Sequence, residues 1–507
     1  MSIARLYTVQ PTVTGGHVVS IEADISRGLH AFAIVGLAGK AIEEAKDRVS
    51  AAIKYSGYPA PKSQNHKIVM SLAPADLKKE GPLFDLPLAL AYLIALEEIV
   101  IDETKRIFVG ELGLDGSLRP IRGVINIVNA AKTAGFSEVF VPTENAREAA
   151  CIDGVTVFGA SDLIAVINHI NVKSQNRQYL HAQPLSTLDE SWADTAIKLE
   201  DIKGQESAKR ALLIAAAGRH NVIMVGPPGT GKTMLARAFQ SMLPPLSRTE
   251  ALAVAMIRSI AGDTTDLLTT KPPFRTPHHT ASHTALVGGG TSPRPGEVTM
   301  AHFGVLFMDE FPEFDRRSID ALRQPLEDRV VSISRVQGTA LFPADVILVA
   351  AMNPYRGSED GTTDLARAMQ QTYKDKISGP ILDRIDLWIE VPHVSYETLA
   401  HKVRNDNETT DARNLIKAAR AQQAKRLLGR GITTNASMTS RDIEDTITLT
   451  TEVETLLKSS AAKLNLSPRS YHRLIKVAQT IADIEGAETI TVAHLLEALQ
   501  YRVRLSI

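Results

Sequence analysis

Eight consecutive residues have the composition and spacing of a loop that binds phosphate. Residues 226–233 read GPPGTGKT and match the pattern G-x-x-x-x-G-K-[ST]. Glycines let backbone N–H groups surround the phosphates, and the helix that follows adds positive potential. In this pattern Lys232 reaches the β- and γ-phosphates, and the Thr233 hydroxyl binds Mg²⁺. We predict that ATP and Mg²⁺ bind this loop, whose residues are Gly226, Pro227, Pro228, Gly229, Thr230, Gly231, Lys232 and Thr233.

Two adjacent carboxylates end a short apolar segment further along the chain. Residues 305–308 read VLFM, which predicts a buried strand that delivers Asp309 and Glu310 at its C-terminal end. In a hydrolytic site Asp309 would hold the hydration shell of Mg²⁺, and Glu310 would act as general base on the attacking water. Because the pair follows a phosphate-binding loop, we predict hydrolysis of ATP.

The elements around these residues must bring a loop and a strand end together, and the sequence predicts an α/β fold. Strand-like residues 221–225 precede the loop, and helix-like residues 234–239 follow it. Composition and periodicity divide the chain into four segments. They are an α/β domain at 1–170, a polar linker at 171–195, an α/β core at 196–395 and a helical domain at 396–507.

The composition limits the classes of protein to which the chain can belong. It has 507 residues, 44% of them hydrophobic and 22% charged, and a net charge of −1. The single cysteine, Cys151, excludes an internal disulfide, and no segment predicts a signal peptide or a membrane helix. We expect a cytoplasmic protein with no membrane partner, in which nucleic-acid binding requires a local basic surface or a ring that concentrates a few cations.

Two motifs on either side of the carboxylate pair go beyond a general nucleotide site. The motif DIKGQE contains Gln205 and resembles the segment of AAA+ ATPases that packs around adenine. The motif VAAMNP resembles the strand of these ATPases that ends in the sensor-one asparagine, here Asn353. A turn residue at a strand end is the alternative interpretation of Asn353.

Two further motifs contain arginines. SGPILDRIDL resembles the arginine-finger segment, with Arg384 as the finger. SPRSYHR resembles the sensor-two motif, with Arg469 as the sensor and Arg473 as the alternative. Within one subunit Arg384 would instead pair with Asp383 or Asp386, and Arg469 would be a surface charge at the start of a helix.

Together these motifs resemble those of the bacterial Mg-chelatase-like AAA+ ATPases of the ComM/YifB type. Residues 272–304, with the motifs PPFRTPHH, GGG, PRPG and AHFG, are especially characteristic, and the resemblance covers essentially the whole chain. It implies a homo-hexameric ring in which Arg384 of one protomer reaches the γ-phosphate held by the next. The catalytic residues that it implies are Glu310, Lys232, Arg384, Asn353 and Arg469.

Residues 1–170 resemble the Lon-protease-like domain of this family, and residues 396–507 resemble its helical lid. Where Lon-type proteases have a nucleophilic serine after Gly-Pro, this sequence has Leu83, and Ile125 stands in the segment that carries their lysine base. Neither side chain can act as nucleophile or base. We therefore expect a non-proteolytic domain used for assembly or for contact with a substrate.

Family members commonly carry several cysteines just after the sensor-one asparagine, in a pattern that suggests metal binding. This sequence reads NPYRGSEDG there, without a cysteine, so we predict no structural metal at that place. His278, His279 and His283 leave a metal site open as an alternative. Their spacing and the lack of a clear carboxylate partner favour a loop that faces a pore or a neighbouring subunit.

Candidate contacts to DNA lie in a hairpin and in an insert. Residues 330–343 predict a β-hairpin, and in this branch of AAA+ ATPases such a hairpin projects into the central channel, with Arg335 as its basic contact. The preceding insert adds Arg275 and Arg294. A ring of such cations would bind phosphates with strong salt dependence and little sequence preference. A purely structural hairpin and a basic helix at 413–430 remain the alternatives.

The leading functional hypothesis is an ATP-driven motor that acts on single-stranded or branched DNA. The resemblance implies a helicase or branch-migration enzyme in recombination or natural transformation. One alternative is a chelatase-type ATPase that remodels a protein partner for Mg²⁺ insertion into a porphyrin, and another is a nucleotide-dependent scaffold. A scaffold does not need a hydrolytic set, so the presence of Lys232, Glu310 and Arg384 disfavours it.

Overall fold

The computed structural model describes residues 4–63, 65–101, 105–173, 177–263, 265–290, 294–335, 338–353, 377–400 and 406–502. The backbone forms two compact units. The first unit consists of Met1–Asp189 and Ala251–Thr269, and the second of Glu190–Glu250 and Thr270–Ile507. No helix in the described parts of the chain is both long enough and apolar enough to cross a membrane.

The first unit contains two sheets, a short hairpin and five helices among its described residues before Asp189. They are β1 (Ala4–Thr12), β2 (Gly15–Arg27), β3 (Ala31–Val35), α1 (Lys40–Tyr55), β4 (His66–Ala73), α2 (Asp85–Ala95), β5 (Arg106–Phe108), β6 (Glu111–Leu112), β7 (Leu118–Arg119), α3 (Val124–Thr133), β8 (Glu138–Pro142), α4 (Thr143–Ala149), β9 (Thr156–Ala160) and α5 (Leu163–Ile170). One sheet has the order β1-β2-β4-β3, with only β3 parallel to its neighbour, and β5, β8 and β9 form a parallel sheet. β6 and β7 pair as the hairpin.

Apolar spacing determines which faces of the first unit pack inward. In α1 the residues Ile42, Ala45, Val49 and Ile53 recur at helical spacing and are buried. α2 is apolar on all sides, so it has no face for solvent, and it packs against α1, β1 and β2.

The two positions compared with a protease dyad belong to the core of the first unit. Leu83 is 5% exposed and Ile125 is fully buried. The buried carboxylate of Asp85 pairs with Arg48 at 2.7 Å, and burial raises the pKa of Asp85 to about 6 against the effect of this arginine. Two packed aliphatic side chains at these positions support the expectation of a non-proteolytic domain.

The first unit also includes a segment from the middle of the chain. α8 (Arg248–Ala261) begins in the second unit, but residues Ala251–Thr269 belong to the first. Ala255 is part of the first unit's core, and Leu252 and Met256 pack against it. Sequence reasoning placed this segment in the predicted core at 196–395, because an apolar helix face does not reveal which core it joins.

The predicted linker at 171–195 makes backbone contacts with the first unit. Gln183 N donates to Val157 O at 2.8 Å, and Ser186 N donates to Ala150 O at 2.9 Å. These hydrogen bonds satisfy backbone N–H groups in a polar segment whose sequence has neither helical nor strand periodicity. The boundary between the two units falls after Asp189, inside the predicted linker.

The second unit is built on one parallel sheet. Its elements besides α8 are α6 (Glu206–Gly218), β10 (Val222–Val225), α7 (Lys232–Met242), β11 (Phe274–Arg275), α9 (His283–Val287), β12 (Gly288–Gly289), β13 (Arg294–Pro295), α10 (Glu297–Met300), β14 (Val305–Met308), α11 (Arg316–Ala321), α12 (Arg323–Asp328), β15 (Val330–Arg335), β16 (Gly338–Pro343), β17 (Ile347–Met352), α13 (Gly379–Leu382), β18 (Leu387–Glu390), α14 (Tyr396–Ala400), α15 (Glu408–Arg426), α16 (Ser440–Thr446), α17 (Thr451–Leu464), α18 (Pro468–Ile484) and α19 (Val492–Gln500). The sheet has the order β11-β14-β17-β10-β18, and β12–β13 and β15–β16 are separate two-stranded ribbons.

The strands of this sheet are short and apolar on both faces. β10 reads VIMV, β14 reads VLFM and β17 reads ILVAAM, and every residue of the three is buried. Such continuous apolar runs are typical of parallel strands covered on both sides. All neighbouring strands run parallel, so their carboxyl ends meet at one edge, where the loop and the carboxylate pair begin.

A buried ion pair joins two of the C-terminal helices. The Asp483 carboxylate on α18 accepts hydrogen bonds from both terminal nitrogens of Arg426 on α15, at 2.8 and 2.7 Å. It also accepts from Asn435 at 2.8 Å and from Gln479 at 3.0 Å. The side chain of Asp483 is inaccessible to solvent, and these donors offset the loss of its hydration.

Replacing Asp483 should destabilise the protein strongly. Asp483→Ala leaves the Arg426 guanidinium buried without its counter-charge, so the free energy of unfolding should fall by about 3–5 kcal/mol. Asp445→Ala is the matched control: it removes a partly exposed carboxylate that Arg430 binds at 3.0 Å, and its effect should not exceed about 1 kcal/mol. Urea unfolding of the full chain measures both, and equal effects would contradict the importance of the buried pair.

Candidate functional site

The loop between β10 and α7 has a backbone that requires glycine at three positions. Gly229 and Gly231 have φ angles of 81° and 89°, in the left-handed region. A Cβ atom at Gly226 would lie 2.1 Å from the Val391 carbonyl oxygen. The loop therefore runs close to the end of β18, and its N–H groups lie at the start of α7, as the sequence motif predicted.

Lys232 is the buried cation of this loop, with 8% of its surface exposed. Its Nζ donates to Gly226 O at 2.7 Å, to Pro227 O at 2.8 Å and to Asn353 Oδ1 at 3.0 Å. Burial lowers the pKa of Lys232, and the charge of Asp309 opposes this shift. The ammonium thus lies across the inside of the loop, where a phosphate oxygen can replace a carbonyl as its partner.

Asn353 reaches Lys232 because of the strand order. It follows β17, which pairs with β10 so that Met352 lies opposite Val225. Gly226 N donates to Met352 O at 3.2 Å, which brings the two strand ends together. The position agrees with a sensor-one residue, whereas a turn residue would not require this contact.

Thr233 and Asp309 form the part of the site that fits Mg²⁺. Thr233 Oγ1 donates to Asp309 Oδ2 at 2.8 Å, so a hydroxyl and a carboxylate from α7 and the end of β14 face one another. Magnesium prefers such oxygen ligands. The other Asp309 oxygen accepts from Glu310 N at 3.0 Å, which fixes the carboxylate. Asp309 and Thr233 are thus the residues that would hold the ion.

Glu310 has a left-handed backbone with a φ of 50°, and its side chain is 55% exposed. Its Oε2 lies 3.2 Å from His279 Nδ1, a contact that sequence reasoning missed. The expectation that the histidine loop faces a pore or a neighbouring subunit stays a prediction. Among the described residues, no group of three or more His, Cys, Asp or Glu side chains is placed to hold a metal ion.

The strand register was the signal that could have located His279. Phe274 pairs with Val305 where β11 lies beside β14. His279 and Glu310 each lie five residues beyond this pair. The sequence did not reveal the order of strands in the sheet, because β11 is two residues long and has little sequence signal of its own.

The two candidate arginines share one carboxylate. Arg384 Nη2 binds one oxygen of Glu327 on α12, and Arg469 Nη2 binds the other. Arg384 also donates to Pro380 O at 2.5 Å and is 11% exposed. The alternative interpretation expected Arg384 to pair with Asp383 or Asp386, but the carboxylate that it binds is that of Glu327.

Arg473 contacts the backbone that carries Arg384. Its Nη1 donates to Leu382 O at 3.3 Å and also to Ile385 O. Asp386 accepts from Asn221 N at 3.0 Å and lies 3.3 Å from a ring nitrogen of His220. These contacts fix the finger segment, and they disfavour Arg473 as the sensor arginine.

Gln205 lies beside the phosphate loop, with 9% of its surface exposed and a φ of 62°. Its Nε2 donates to Pro392 O at 2.6 Å, and Pro392 follows Val391, whose carbonyl touches the loop at Gly226. Its Oε1 is buried without a hydrogen-bond partner. A buried acceptor without a donor destabilises the empty site and suits a ligand that brings an N–H group.

The candidate DNA contacts differ in their surroundings. Arg275 binds Glu297 through two nitrogens, at 2.7 and 2.9 Å, so its charge is already neutralised. Arg294 on β13 is exposed. Arg335 ends β15, opposite Gly338 of β16, so the predicted hairpin is confirmed, but the side chain of Arg335 lies outside the described residues.

The base of the hairpin is anchored by one carboxylate. Asp345, between β16 and β17, accepts from Arg329 at 3.0 Å and from Arg219 at 3.1 Å. Burial would raise the pKa of Asp345, but these two guanidinium groups hold it below its usual value. The hairpin is thereby fixed to the end of α6 and to β17.

The basic helix considered as an alternative DNA surface uses most of its arginines inside the protein. Arg413 donates to Ser241 O at 2.8 Å, and Arg420 donates to Ala216 O at 2.7 Å. Burial lowers the pKa of Arg420 to about 9. Arg426 binds Asp483, and Arg430 binds Asp442 and Asp445. Arg413, Arg420 and Arg426 on α15 are thus bound to carbonyls and a carboxylate of the same chain, whereas Lys417 and Lys425 remain exposed.

Family models match the chain along most of its length. Residues 198–399 match the model described as magnesium chelatase, subunit ChlI. Residues 21–145 match subunit ChlI of Mg-chelatase, and residues 406–502 match the C-terminal part of magnesium chelatase subunit ChlI. Each segment thus falls in the same family on its own.

Individual relatives extend the similarity over the full chain. Competence protein ComM of Haemophilus influenzae is 40% identical over 506 residues, which cover 99% of this chain and 98% of the relative. The YifB protein of Salmonella typhimurium, which has no assigned function, is 40% identical over 514 residues, or 99% and 97% of the two chains. DNA replication licensing factor Mcm6 of Drosophila melanogaster is 25% identical over 201 residues, or 37% of this chain and 22% of that protein. With full-length similarity at this level and a phosphate loop, carboxylate pair and asparagine at one sheet edge, the chain belongs to the Mg-chelatase-like AAA+ ATPases of the ComM/YifB type.

Proposed function

We propose that the chain hydrolyses ATP at the carboxyl edge of the second unit's sheet. The observation that supports this is the convergence of the loop lysine, the Thr233–Asp309 pair, Glu310 and Asn353 at that edge. Lys232 binds the β- and γ-phosphates. Asn353 holds the Lys232 ammonium group in position beside the γ-phosphate. Thr233 and Asp309 would hold Mg²⁺, which when bound would supply positive charge beside the phosphates.

Glu310 is the general base in this proposal. It extends from the end of β14 with an exposed carboxylate, so it can accept a proton from a water molecule aligned with the γ-phosphorus. Asp309, one residue earlier, is occupied by Thr233 and by the Glu310 N–H. The two adjacent carboxylates thus have separate tasks, metal binding and proton transfer.

Gln205 supplies a reason for preferring adenine. The unpaired Oε1 of Gln205 accepts a hydrogen bond, which the exocyclic amino group of adenine can donate. Guanine presents a carbonyl oxygen at the equivalent ring position, and two acceptors facing each other are repulsive. The buried acceptor therefore favours ATP over GTP.

The family resemblance supports a hexameric ring in which Arg384 acts as arginine finger on the nucleotide of the neighbouring protomer, with Arg469 as the sensor-two arginine. Their shared partner, Glu327, holds both guanidinium groups together on one protomer. A guanidinium pair stabilises negative charge that develops on the transferred phosphoryl group.

We further propose that the ring is a motor acting on single-stranded or branched DNA, as a helicase or branch-migration enzyme. The β15–β16 hairpin connects the two strands that carry Asp309–Glu310 and Asn353, so its position is coupled to the nucleotide site. The name of the ComM relative places that protein in competence, and the Mcm6 relative is a DNA replication factor. The first name supports a role of this chain in natural transformation, and the second supports an action on DNA.

A chelatase-type ATPase is the second candidate. All three family models are described by the magnesium chelatase subunit ChlI, including the one that matches residues 21–145. The N-terminal segment therefore does not separate the two functions. Stimulation of ATP turnover by DNA favours the motor, whereas stimulation only by a porphyrin-binding protein partner favours the chelatase.

Lys232 and Glu310 should separate binding from hydrolysis. Lys232→Ala should abolish nucleotide binding, because it removes the cation of the loop. Glu310→Gln should bind ATP normally and lower kcat by about 10²–10⁴-fold, since it retains shape but cannot accept a proton. Binding of a fluorescent ATP analogue and phosphate release measure the two steps. Glu313→Gln, three residues further on, is the control and should hydrolyse ATP normally; near-normal turnover in Glu310→Gln would remove Glu310 from the role of base.

Arg384 should act on a neighbouring subunit. Arg384→Ala should retain ATP binding but lose turnover by about 10³-fold, since the guanidinium stabilises the transition state. Mixing Arg384→Ala protein with Glu310→Gln protein should restore part of the activity, because some mixed interfaces contain both an intact base and an intact arginine. If mixed rings are confirmed by mass and activity does not return, Arg384 acts within its own subunit.

Arg335 should contribute to DNA affinity without taking part in hydrolysis. Arg335→Ala should weaken binding to all DNA sequences and reduce the slope of log K against log [salt] by about 1, because one phosphate contact is lost. ATP turnover without DNA should be unchanged. Lys417→Ala with Lys425→Ala, on the exposed part of α15, is the control. Loss of affinity in this control and not in Arg335→Ala would exclude the hairpin as the DNA contact.

A further inference from the structure

Glu327 lies between the two arginines that the proposed function assigns to the nucleotide site. One of its carboxylate oxygens accepts a hydrogen bond from Arg384 Nη2, and the other accepts one from Arg469 Nη2. We propose that Glu327 is a positioning residue that directs the Arg384 guanidinium towards the γ-phosphate bound by the neighbouring protomer. This inference rests on the proposed function, in which hydrolysis of ATP requires an arginine from the next subunit.

The contacts of Arg384 show why its direction depends on Glu327. Arg384 Nη1 donates to Pro380 O at 2.5 Å, which holds one side of the guanidinium against its own segment. Nη2 is the nitrogen that Glu327 binds. Because a guanidinium is planar, two bound nitrogens define the orientation of its plane. The group has five N–H donors in all, so these two contacts leave donors for a phosphate oxygen.

Glu327 is held by α12 and by the base of the β15–β16 hairpin. Arg329 N donates to Pro325 O at 3.0 Å, which closes the last turn of α12 around Glu327. Ser332 N on β15 donates to Gln324 Oε1 at 3.1 Å and ties the hairpin to the same helix. A group that positions another must itself be fixed, and the backbone of Glu327 meets this condition.

Arg469 fixes the carboxylate of Glu327 from a third element. It lies on α18, and its bond to the second oxygen opposes rotation of the carboxylate. Arg469 is 57% exposed, whereas Arg384 is 11% exposed and needs the counter-charge more. Two cations and one anion leave a net charge of about +1, so the cluster still attracts a phosphate.

Two substitutions of Glu327 and one neighbouring control separate positioning from a general effect of charge. Glu327→Ala removes both acceptor oxygens. Glu327→Gln keeps the size of the side chain but has one acceptor oxygen, so it can hold only one of the two guanidinium groups. Asp328→Ala is the matched control, because it removes an exposed carboxylate from the adjacent position of α12.

Steady-state ATP hydrolysis by the full chain should follow this series. Glu327→Ala should lower kcat about 10²-fold, the loss typical of a catalytic group that is displaced by about 1 Å. KM for ATP should change less than about twofold, since the contact acts on the arginine and not on the bound nucleotide. Glu327→Gln should have an intermediate kcat, and Asp328→Ala should resemble the wild type.

Mixed rings reveal on which side of an interface Glu327 acts. Mixing Glu327→Ala with Glu310→Gln should restore part of the activity, because some interfaces then combine an intact base on one protomer with an intact Glu327 and Arg384 on the next. Mixing Glu327→Ala with Arg384→Ala should restore none, since every interface lacks one of the two. Recovery with Glu310→Gln also shows that the nucleotide site of the Glu327→Ala protomer is correctly folded.

The outcomes distinguish this inference from the proposed function. An unchanged kcat in Glu327→Ala, or full activity in Glu327→Gln, would show that the shared carboxylate is not needed. Recovery with Arg384→Ala instead of Glu310→Gln would place the action of Glu327 at its own protomer's nucleotide, and recovery with neither would indicate a structural role; both results overturn the inference. If the wild type does not hydrolyse ATP, or Arg384→Ala is not rescued by Glu310→Gln in confirmed mixed rings, the proposed function itself is contradicted.

Discussion

The nucleotide site depends on the buried ammonium group of Lys232. Its three acceptors are the carbonyl oxygens of Gly226 and Pro227 and the side-chain oxygen of Asn353, so one cation joins the ends of β10 and β17. A loop that turns sharply at glycines leaves carbonyl oxygens facing inward, and these would be unsatisfied without a donor. Burial lowers the pKa of Lys232, and the Asp309 charge at the end of β14 opposes that shift. Groups at the ends of β10, β14 and β17 therefore all act on the charge of Lys232.

The order of the strands arranges the chemistry along one edge of the sheet. β10 and β18 bring the phosphate loop beside Gln205, which lies where the base of the nucleotide binds in our proposal. β17 comes next with Asn353, then β14 with its carboxylates, and β11 brings His279 to the outer side of Glu310. The strands that carry these residues pair with one another in this order. A displacement of the β15–β16 hairpin, which connects β14 and β17 in sequence, acts on the middle of this row.

Sequence motifs predicted the features that depend on adjacent residues. They did not predict contacts between elements that are far apart in the chain. The loop, the strand that ends in Asp309 and the hairpin follow from consecutive residues, and all three were found. The contact of His279 with Glu310 depends on strand order, and the sharing of Glu327 by Arg384 and Arg469 depends on three elements far apart in the chain. Arg420 shows a further limit of the sequence analysis. Its charge suggested a solvent-exposed surface, but its guanidinium group donates a hydrogen bond to Ala216 O. No sequence pattern indicates that a cationic side chain will be buried and bound to a backbone carbonyl oxygen.

Glu327 constrains how the proposed arginine finger can work. Arg384 is 11% exposed, and a guanidinium buried to that degree needs a counter-charge at all times. Glu327 supplies it within the protomer, while Arg473 holds the backbone carbonyls of the finger segment, so any movement of Arg384 is confined to its side chain. The Nε of Arg384 is buried without a hydrogen-bond partner, which leaves a donor to be satisfied by an incoming oxygen. If Arg384 turns to a phosphate of a neighbouring protomer, as we propose, Glu327 would still have Arg469 as its partner. The ring would then exchange one anion for another around a guanidinium that is already desolvated, and such an exchange requires less reorganisation than the capture of a hydrated charge.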